Sequence, residues 1–316
     1  MNQSSRSPLL EERKKMTSAE TVSIIIPTGG RVDPLTGCLA SIQRYAPKGQ
    51  IIVIGDKNDE RTQRALLKNF PFVRYLESEE SSAVVKRNLG IAHATNDILI
   101  FVDDDVIVDR SWLENLLRHY SDDSVGGVGG RVEVPGLRRG TSNYMTGVIE
   151  NGFIIGNWNP AATRAFEVQH LLGCNMSFRK ALLIRLGGFD NFFRACNFRE
   201  ETDLCLRIKL LGYRLVFDPN ASLIHKALGR KSQGARWIYY YVRNTLYIYL
   251  KYQATGSRSM LRFLRLLFFP PRDYAALSGV KVRITPSTPL IATSGLFAGF
   301  LGWLTHKEYS PGAILH

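Results

Sequence analysis

Three aspartates stand in a row at positions 103–105, directly after the apolar run Ile98–Val102. Carboxylates this close repel one another unless a cation neutralises them. Magnesium and manganese favour hard oxygen ligands and usually keep waters and phosphate oxygens in their shell. A D-x-D pattern of Asp103 and Asp105 at a strand end therefore suits a metal bridging a diphosphate. The same triplet also reads as a solvated turn with helix-capping aspartates. A second acidic group follows at Arg199-Glu200-Glu201-Thr202-Asp203. Acids at the start of a helix complement its dipole with no chemistry required. Glu200 and Glu201 side by side also raise each other's pKa, which suits a general base working near neutral pH. His225, after Asp218-Pro219, stands at an expected strand end. A lone histidine is more often a packed or surface residue than a ligand, and His225 gains weight only beside the acids.

These groups need elements to position them. Val22–Pro27 (VSIIIP) is a β-branched apolar run ended by proline, and it predicts a buried strand. Leu35, Leu39 and Ile42 repeat at helical spacing, and Pro47-Lys48-Gly49 stops that helix. Strands are predicted at Ile51–Ile54, Val73–Leu76 and Ile98–Val102. Helices are predicted over 60–69 and Ser81–Ala94, the latter with Val84, Val85, Leu89 and Ala92 near one face. Ser111 is expected to cap a helix carrying Trp112, Leu113, Leu116 and Leu117. This alternation indicates βαβ units and a mostly parallel sheet. Ligands in such sheets sit at the carboxyl ends of the strands, which puts Thr28, Asp56 and Asp103–Asp105 on one edge.

The pattern loosens from Gly136 to Arg164, which reads as a long loop. Beyond it, Gly173–Phe178 enters a strand and Lys180–Leu186 forms a short helix ended by Gly187-Gly188. A helix is expected over Thr202–Leu211, stopped by Gly212. Short strands are expected at Arg214–Phe217 and Ser222–His225. The remainder changes character: Trp237–Tyr252 is aromatic, 261–269 mixes arginine with bulky apolar groups, and Leu290–Leu304 carries no charge.

Of the 316 residues, 45% are hydrophobic and 22% charged, which excludes a disordered or collagen-like chain. The formal net charge of +13 favours an anionic partner, or serves solubility alone. The four cysteines, Cys38, Cys174, Cys196 and Cys205, form no C-x-x-C pair and fit free thiols in a reducing compartment. The N-terminal segment lacks an apolar stretch long enough for a signal peptide, so a cytoplasmic location is expected. The basic residues are scattered, and no helix-turn-helix or zinc-finger pattern appears, so no nucleic-acid partner is expected.

The ordered set of motifs resembles family 2 glycosyltransferases of the GT-A fold. VSIIIPTGGR is similar to that family's opening strand and turn, and IIVIGDKNDE to its second strand. VKRNLGIAHATNDILIFVDDDV is similar to its Arg-Asn-x-Gly helix and D-x-D strand. LLGCNMSFRKALLIRLGGFD is similar to its acceptor-side segment, and EETDLCLRIKLLGYRL to the helix bearing the base. ASLIHK and YVRN are similar to its closing elements. The resemblance spans roughly Val22 to Asn244. It implies a Rossmann-like α/β architecture, a mostly parallel mixed sheet flanked by helices with a C-terminal helical appendage. The expected boundaries are a flexible arm over 1–20, a catalytic domain over 21–228 and a helical region over 229–316.

The resemblance further implies roles. Pro27, Thr28, Arg31, Asp56 and Arg87 would line the nucleotide pocket, Asp56 accepting from the base. Asp103 and Asp104 would contact the ribose and help the metal. Asp105 would bind manganese or magnesium, with His225 a further ligand. Glu201 would be the catalytic base of an inverting transfer from a UDP-, dTDP- or GDP-sugar to a glycan or lipid-linked acceptor. The family usually has aspartate at the base position, so Asp203 is a second candidate. Asp56-Lys57-Asn58 replaces the usual Asp-Asp-Gly, which leaves the nucleotide base open. The C-terminal segment is similar to the apolar helix of many members. With LRFLRLLFF and the positive charge, it reads as an interfacial anchor on an anionic membrane, at the inner face of the cell membrane. Its 15 uncharged residues fall short of the ~20 a spanning helix needs. Rival readings are a catalytically silent relative that binds nucleotide sugar or scaffolds a membrane complex, and a nucleotidyltransferase.

Overall fold

The computed structural model describes residues 22–47, 49–136, 147–150, 153–155, 159–196, 198–226, 234–252, 257–268 and 288–306. The expected arm over 1–20, Lys48, the 137–146 part of the expected loop, and Phe269 with Pro270-Pro271 lie outside these residues.

The first half of the chain alternates strand and helix. It runs β1 (Val22–Pro27), α1 (Val32–Tyr45), β2 (Gln50–Asp56), α2 (Glu60–Asn69), β3 (Arg74–Ser78), α3 (Ala83–His93) and β4 (Ile98–Val102). Strand β5 (Val106–Val108), helix α4 (Trp112–Leu117) and strand β6 (Val125–Glu133) follow. A two-stranded sheet of β7 (Val148–Glu150) and β8 (Phe153–Ile155) then occurs within the stretch expected to be loop. Next come β9 (Phe166–Val168), β10 (Asn175–Arg179), α5 (Lys180–Arg185), α6 (Glu200–Leu210) and β11 (Arg214–His225). Three C-terminal helices complete the described chain: α7 (Ala235–Tyr252), α8 (Ser257–Phe268) and α9 (Thr288–Thr305).

The main sheet has the order β3-β2-β1-β4-β10-β6-β11-β5, with β9 also on β11. The β3-β2-β1-β4 half is parallel throughout. Strand β10 runs antiparallel between β4 and β6, and β11 pairs parallel with β6. The two strands expected at 214–217 and 222–225 are one strand. Its register shifts between Asp218 and Leu223, around Pro219, which cannot donate to the ladder.

The continuous apolar runs of the parallel strands are explained by burial on both faces. Ile24, Ile26, Val53, Ile100 and Val102 pack with Leu35, Leu39, Trp112 and Leu116 from α1 and α4. The alternate residues Ile25, Ile52, Ile54, Leu99 and Phe101 pack with Val84 and Ile91 of α3 and Leu204 and Ile208 of α6. Tyr247 and Ile248 of α7 join this second core, so α7 is built onto the sheet's helical layer.

Two further elements depart from the sequence expectation. Ser111 sits at the N-cap of α4 but makes no side-chain cap bond; Asp109 O accepts from Trp112 N instead. Helix α3 buries Val84, Lys86, Arg87, Gly90 and Ile91, not the face through Val85, Leu89 and Ala92. Gly90 lets this face sit on β1, since a Cβ there would lie 2.5 Å from Ile25 Cγ2. Two cations are thereby turned inward toward the strand ends.

Helix α9 lies on α7 through a stripe of small residues. Ala292, Gly295, Gly299 and Gly302 are buried; a Cβ on Gly295 or Gly299 would lie 2.8 Å from Tyr239 O or 2.6 Å from Arg243 O of α7, while Gly302 faces Phe192. Its other side exposes Leu290, Phe297, Phe300, Leu301, Trp303 and Leu304. By length and composition alone, α9 is long and apolar enough to cross a membrane.

Candidate functional site

The carboxyl ends of β1, β2 and β4 converge by register. Pro27, the last residue of β1, pairs with Ile54, and Ile25 pairs with Phe101. Thr28 continues the edge, its N–H donating to Ile54 O at 2.9 Å. The three aspartates leave β4 at this level. Strand β11 arrives antiparallel to β5 with His225 opposite Val106, and Lys226 N donates to Asp105 O at 2.9 Å. Backbone pairing therefore brings His225 to the acids from more than a hundred residues away.

The side chains knit into one network. Thr28 Oγ1 donates to Asp104 Oδ2 at 2.6 Å. Arg31, whose side chain is nearly half exposed, donates to Asp105 Oδ2 at 2.8 Å and also pairs with Asp104. His225 Nε2 lies 3.1 Å from Asp105 Oδ1 and 3.6 Å from Asp103 Oδ2. Arg87 reaches Asp103 Oδ1 at 3.3 Å, Gly173 O at 3.3 Å and Glu200 Oε1 at 2.6 Å. Lys86 Nζ donates to Thr28 O at 2.6 Å and lies 2.7 Å from Asp56 Oδ1. The structure thus brings Pro27, Thr28, Arg31, Asp56, Arg87, Asp103, Asp104, Asp105 and His225 to one edge.

The titration behaviour follows from this packing. Burial works against ionisation of Asp103 and Asp105, but His225 beside both, with Arg87 at Asp103 and Arg31 at Asp105, holds them below the usual carboxylate range. Asp104 is pushed up, because burial outweighs its bonds from Thr28 and Arg31. Burial would lower His225, yet Asp103 and Asp105 lift it to about 9. A protonated imidazole and two guanidiniums therefore neutralise the triplet here. Asp103, His225 and Cys174 each offer a ligand atom, all within 4.8 Å of one another. With the Asp105 oxygen 3.1 Å from the imidazole, this donor set fits a divalent cation that takes oxygen and imidazole ligands.

Glu201 adjoins this network through Glu200. Arg87 takes Glu200, while Glu201 Oε2 is buried and has no hydrogen-bond partner. Burial and the neighbouring Glu200 raise the Glu201 carboxyl well above its ordinary value. Asp203, the alternative base, is differently placed. Its carboxylate accepts from Arg207 Nε at 2.7 Å, Lys251 Nζ at 2.6 Å and Tyr252 OH at 2.7 Å. Burial opposes its charge, but Lys251 and Arg207 keep it below the usual range. Three donors and a low pKa suit a structural anion tying α6 to α7, not a proton acceptor.

Sequence reading missed Lys86, the pairing of Glu200 with Arg87, and Cys174 at the acids. The available signal was charge: acids at two buried strand ends need counter-ions, and VKRN offers two consecutive cations on the adjacent helix.

The family model described as glycosyl transferase family 2 matches residues 23–187. The pre-mycofactocin glycosyltransferase of Mycobacterium tuberculosis is 29% identical over 153 residues, 48% of this chain and 31% of that protein. The glucosyl-dolichyl phosphate glucuronosyltransferase of Haloferax volcanii is 26% identical over 199 residues, 58% of this chain and 61% of that protein. The matched stretches thus cover less than two thirds of either relative. Among solved structures, the mannosyltransferase PcManGT from Pyrobaculum calidifontis, in complex with GDP-Man and Mn2+, is similar with a TM-score of 0.55 at 17% identity. That match covers 91% of this chain and 88% of that one. GalNAc-T7 with UDP, GalNAc and Mn2+ has a TM-score of 0.59 at 18% identity, covering 78% and 53%. At these identities the structural likeness speaks for the fold, which is that of GT-A glycosyltransferases. The match over residues 23–187, more than half of the sequence, takes in the acid triplet, Arg87 and the strands that aim them, and the chain belongs to glycosyl transferase family 2.

Proposed function

We propose that the chain is an inverting, metal-dependent glycosyltransferase that moves a sugar from a nucleoside diphosphate to an acceptor hydroxyl. The observation that carries this reading is the coupling of Asp103 to Glu200 through one buried guanidinium, Arg87, at 3.3 and 2.6 Å. It ties the cation-binding acids to the helix start that bears a raised-pKa carboxyl. The relatives' names, the glucosyl-dolichyl phosphate glucuronosyltransferase and a poly-beta-1,6-N-acetyl-D-glucosamine synthase of Staphylococcus aureus, support an acceptor in glycolipid or polysaccharide synthesis.

Asp105 and His225, with Asp103 beside them, would hold manganese or magnesium. The metal, when bound, offsets the charge that grows on the leaving diphosphate. Arg31, paired with Asp104 and Asp105 but nearly half exposed, would also reach the diphosphate. Asp56, kept ionised by Lys86 against the pull of burial, accepts from the nucleotide base. Thr28 orients Asp104 toward the ribose. Glu201 accepts the proton of the acceptor hydroxyl as its oxygen attacks the anomeric carbon and the bond to the diphosphate breaks. A single displacement with the reactants held in line inverts that carbon. The test is the anomeric configuration of the product, read by NMR. Inversion agrees with one displacement, and retention contradicts it.

We also propose that residues 229–316 dock on an anionic membrane at the inner face of the cell membrane, with the catalytic part over 21–228 in the cytoplasm. The exposed side of α9 and the net charge of +13 support this reading. Because its glycine side is committed to α7, α9 would lie along the surface and not cross it. Co-sedimentation with phosphatidylglycerol vesicles at low salt tests it, and a chain that stays in the supernatant contradicts it.

A further inference from the structure

Arg199 immediately precedes the helix that bears Glu201, and three observations set it apart. It adopts φ +75°, a backbone region that favours glycine. Its side chain is almost fully buried, at 3% exposure. Its Nε donates to Thr245 Oγ1 at 3.1 Å, but Nη1 is buried with no hydrogen-bond partner.

Among the described residues no carboxylate forms an ion pair with Arg199, although the nearby Glu201 favours its charge against the burial that opposes it. The guanidinium lies 5.2 Å from the Phe198 ring centroid. Phe198 abuts Trp237 and Tyr241, whose rings stack at 4.9 Å. His170 nearby is neutral, burial and Arg199 together lowering it to about 3. Glycine at this position would avoid both the backbone strain and the burial of an unpaired charge. Two residues along, Glu201 Oε2 is also buried and unpartnered. One helix start therefore holds an unsatisfied donor, Arg199 Nη1, and two unsatisfied acceptors, Glu200 Oε2 and Glu201 Oε2, and the donor bonds to neither.

We propose that Arg199 and Glu201 form an acceptor subsite for a molecule carrying an anionic group, phosphate or carboxylate, close to its attacking hydroxyl. The anion takes the free guanidinium N–H, and the hydroxyl donates to Glu201. The ring wall of Phe198, Trp237 and Tyr241 gives the acceptor an apolar flank. In the transfer, the hydroxyl oxygen bonds to the anomeric carbon, its proton passes to Glu201, and the diphosphate leaves with the electron pair of the broken bond. The acceptor's anion stays on Arg199 throughout. The inference rests on the donor-transfer reading above and adds the acceptor's charge.

Calorimetric titration tests it on the full chain. The donor pocket is first filled with manganese and whichever of UDP, GDP or dTDP binds most tightly, or left empty if none does. Glucose 1-phosphate, glucuronate and neutral methyl glucoside are then titrated separately. At least one anion is expected to bind tenfold or more tightly than methyl glucoside, and which anion it is distinguishes phosphate from carboxylate. Arg199→Gly suits the backbone and should melt no lower than wild type, yet erase that preference. Arg199→Lys, which keeps the charge, should retain part of it. Equal binding of the three sugars, no binding of any, or an undiminished preference in Arg199→Gly overturns the proposal. Failure of nucleotide binding alone would instead count against the donor-transfer reading.

Discussion

Arg87 Nη1 and Glu200 Oε1 lie 2.6 Å apart, both side chains almost wholly buried, and they come from elements separated by 113 residues. The same guanidinium touches Asp103 and Gly173 O, so one cation fixes helix α6 relative to the acid triplet. Its attraction to Glu200 and Asp103 outweighs the burial that opposes its charge and keeps Arg87 protonated. Arg87→Leu leaves the buried Glu200 carboxyl without its ion-pair partner. The expected loss is about 3–5 kcal/mol of stability in urea unfolding. A loss under about 1 kcal/mol would mean the pair is not buried in solution.

Glu201 and Asp203 separate under substitution. Glu201→Gln should lower transfer about a hundredfold or more while leaving the fold intact. Asp203→Asn should chiefly destabilise, because Lys251 and Arg207 lose their shared anion. Transfer rates and melting curves of both variants check this. The opposite pattern would make Asp203 the base.

The raised pKa of Glu201 has a pH signature. Folding favours its neutral form, so the carboxyl's contribution to stability is complete below the ordinary 4.5 and is lost as pH rises toward the folded value. Glu201→Gln should therefore match wild type in melting temperature near pH 4 and exceed it at pH 8. The rate should rise with pH along a limb lying above 4.5, since the base acts deprotonated. A limb at or below that value would contradict the assignment.

Much of the parallel half was legible because its strands are buried on both faces and its helices keep strict spacing. Val22–Pro27 and Ile98–Val102 fall on the observed strands, and 60–69 on the observed helix. Helix α3 was not legible in detail. Its buried face is chosen by ion pairs to Asp56 and Glu200, which lie in distant parts of the chain and leave no mark in hydrophobic period. The acid triplet was visible as a run, but the approach of His225 depends on β5–β11 pairing. The strain at Arg199 shows only in the backbone angle.

The seat of α9 on α7 depends on its small residues. Gly299→Leu would drive a side chain into Arg243 O, where even a Cβ would be 2.6 Å away. The variant should expose α9 to protease while the catalytic core keeps its melting transition. Limited proteolysis checks this, and an unchanged digestion pattern would contradict the packing.

The most direct test of the donor and metal site is calorimetric titration with UDP-, dTDP- and GDP-sugars, with and without manganese, on wild type and Asp105→Ala. Manganese-dependent binding of one donor class that disappears in Asp105→Ala is the predicted result. A folded protein that binds none of the donors, or binds one equally well without manganese and in the variant, would contradict it.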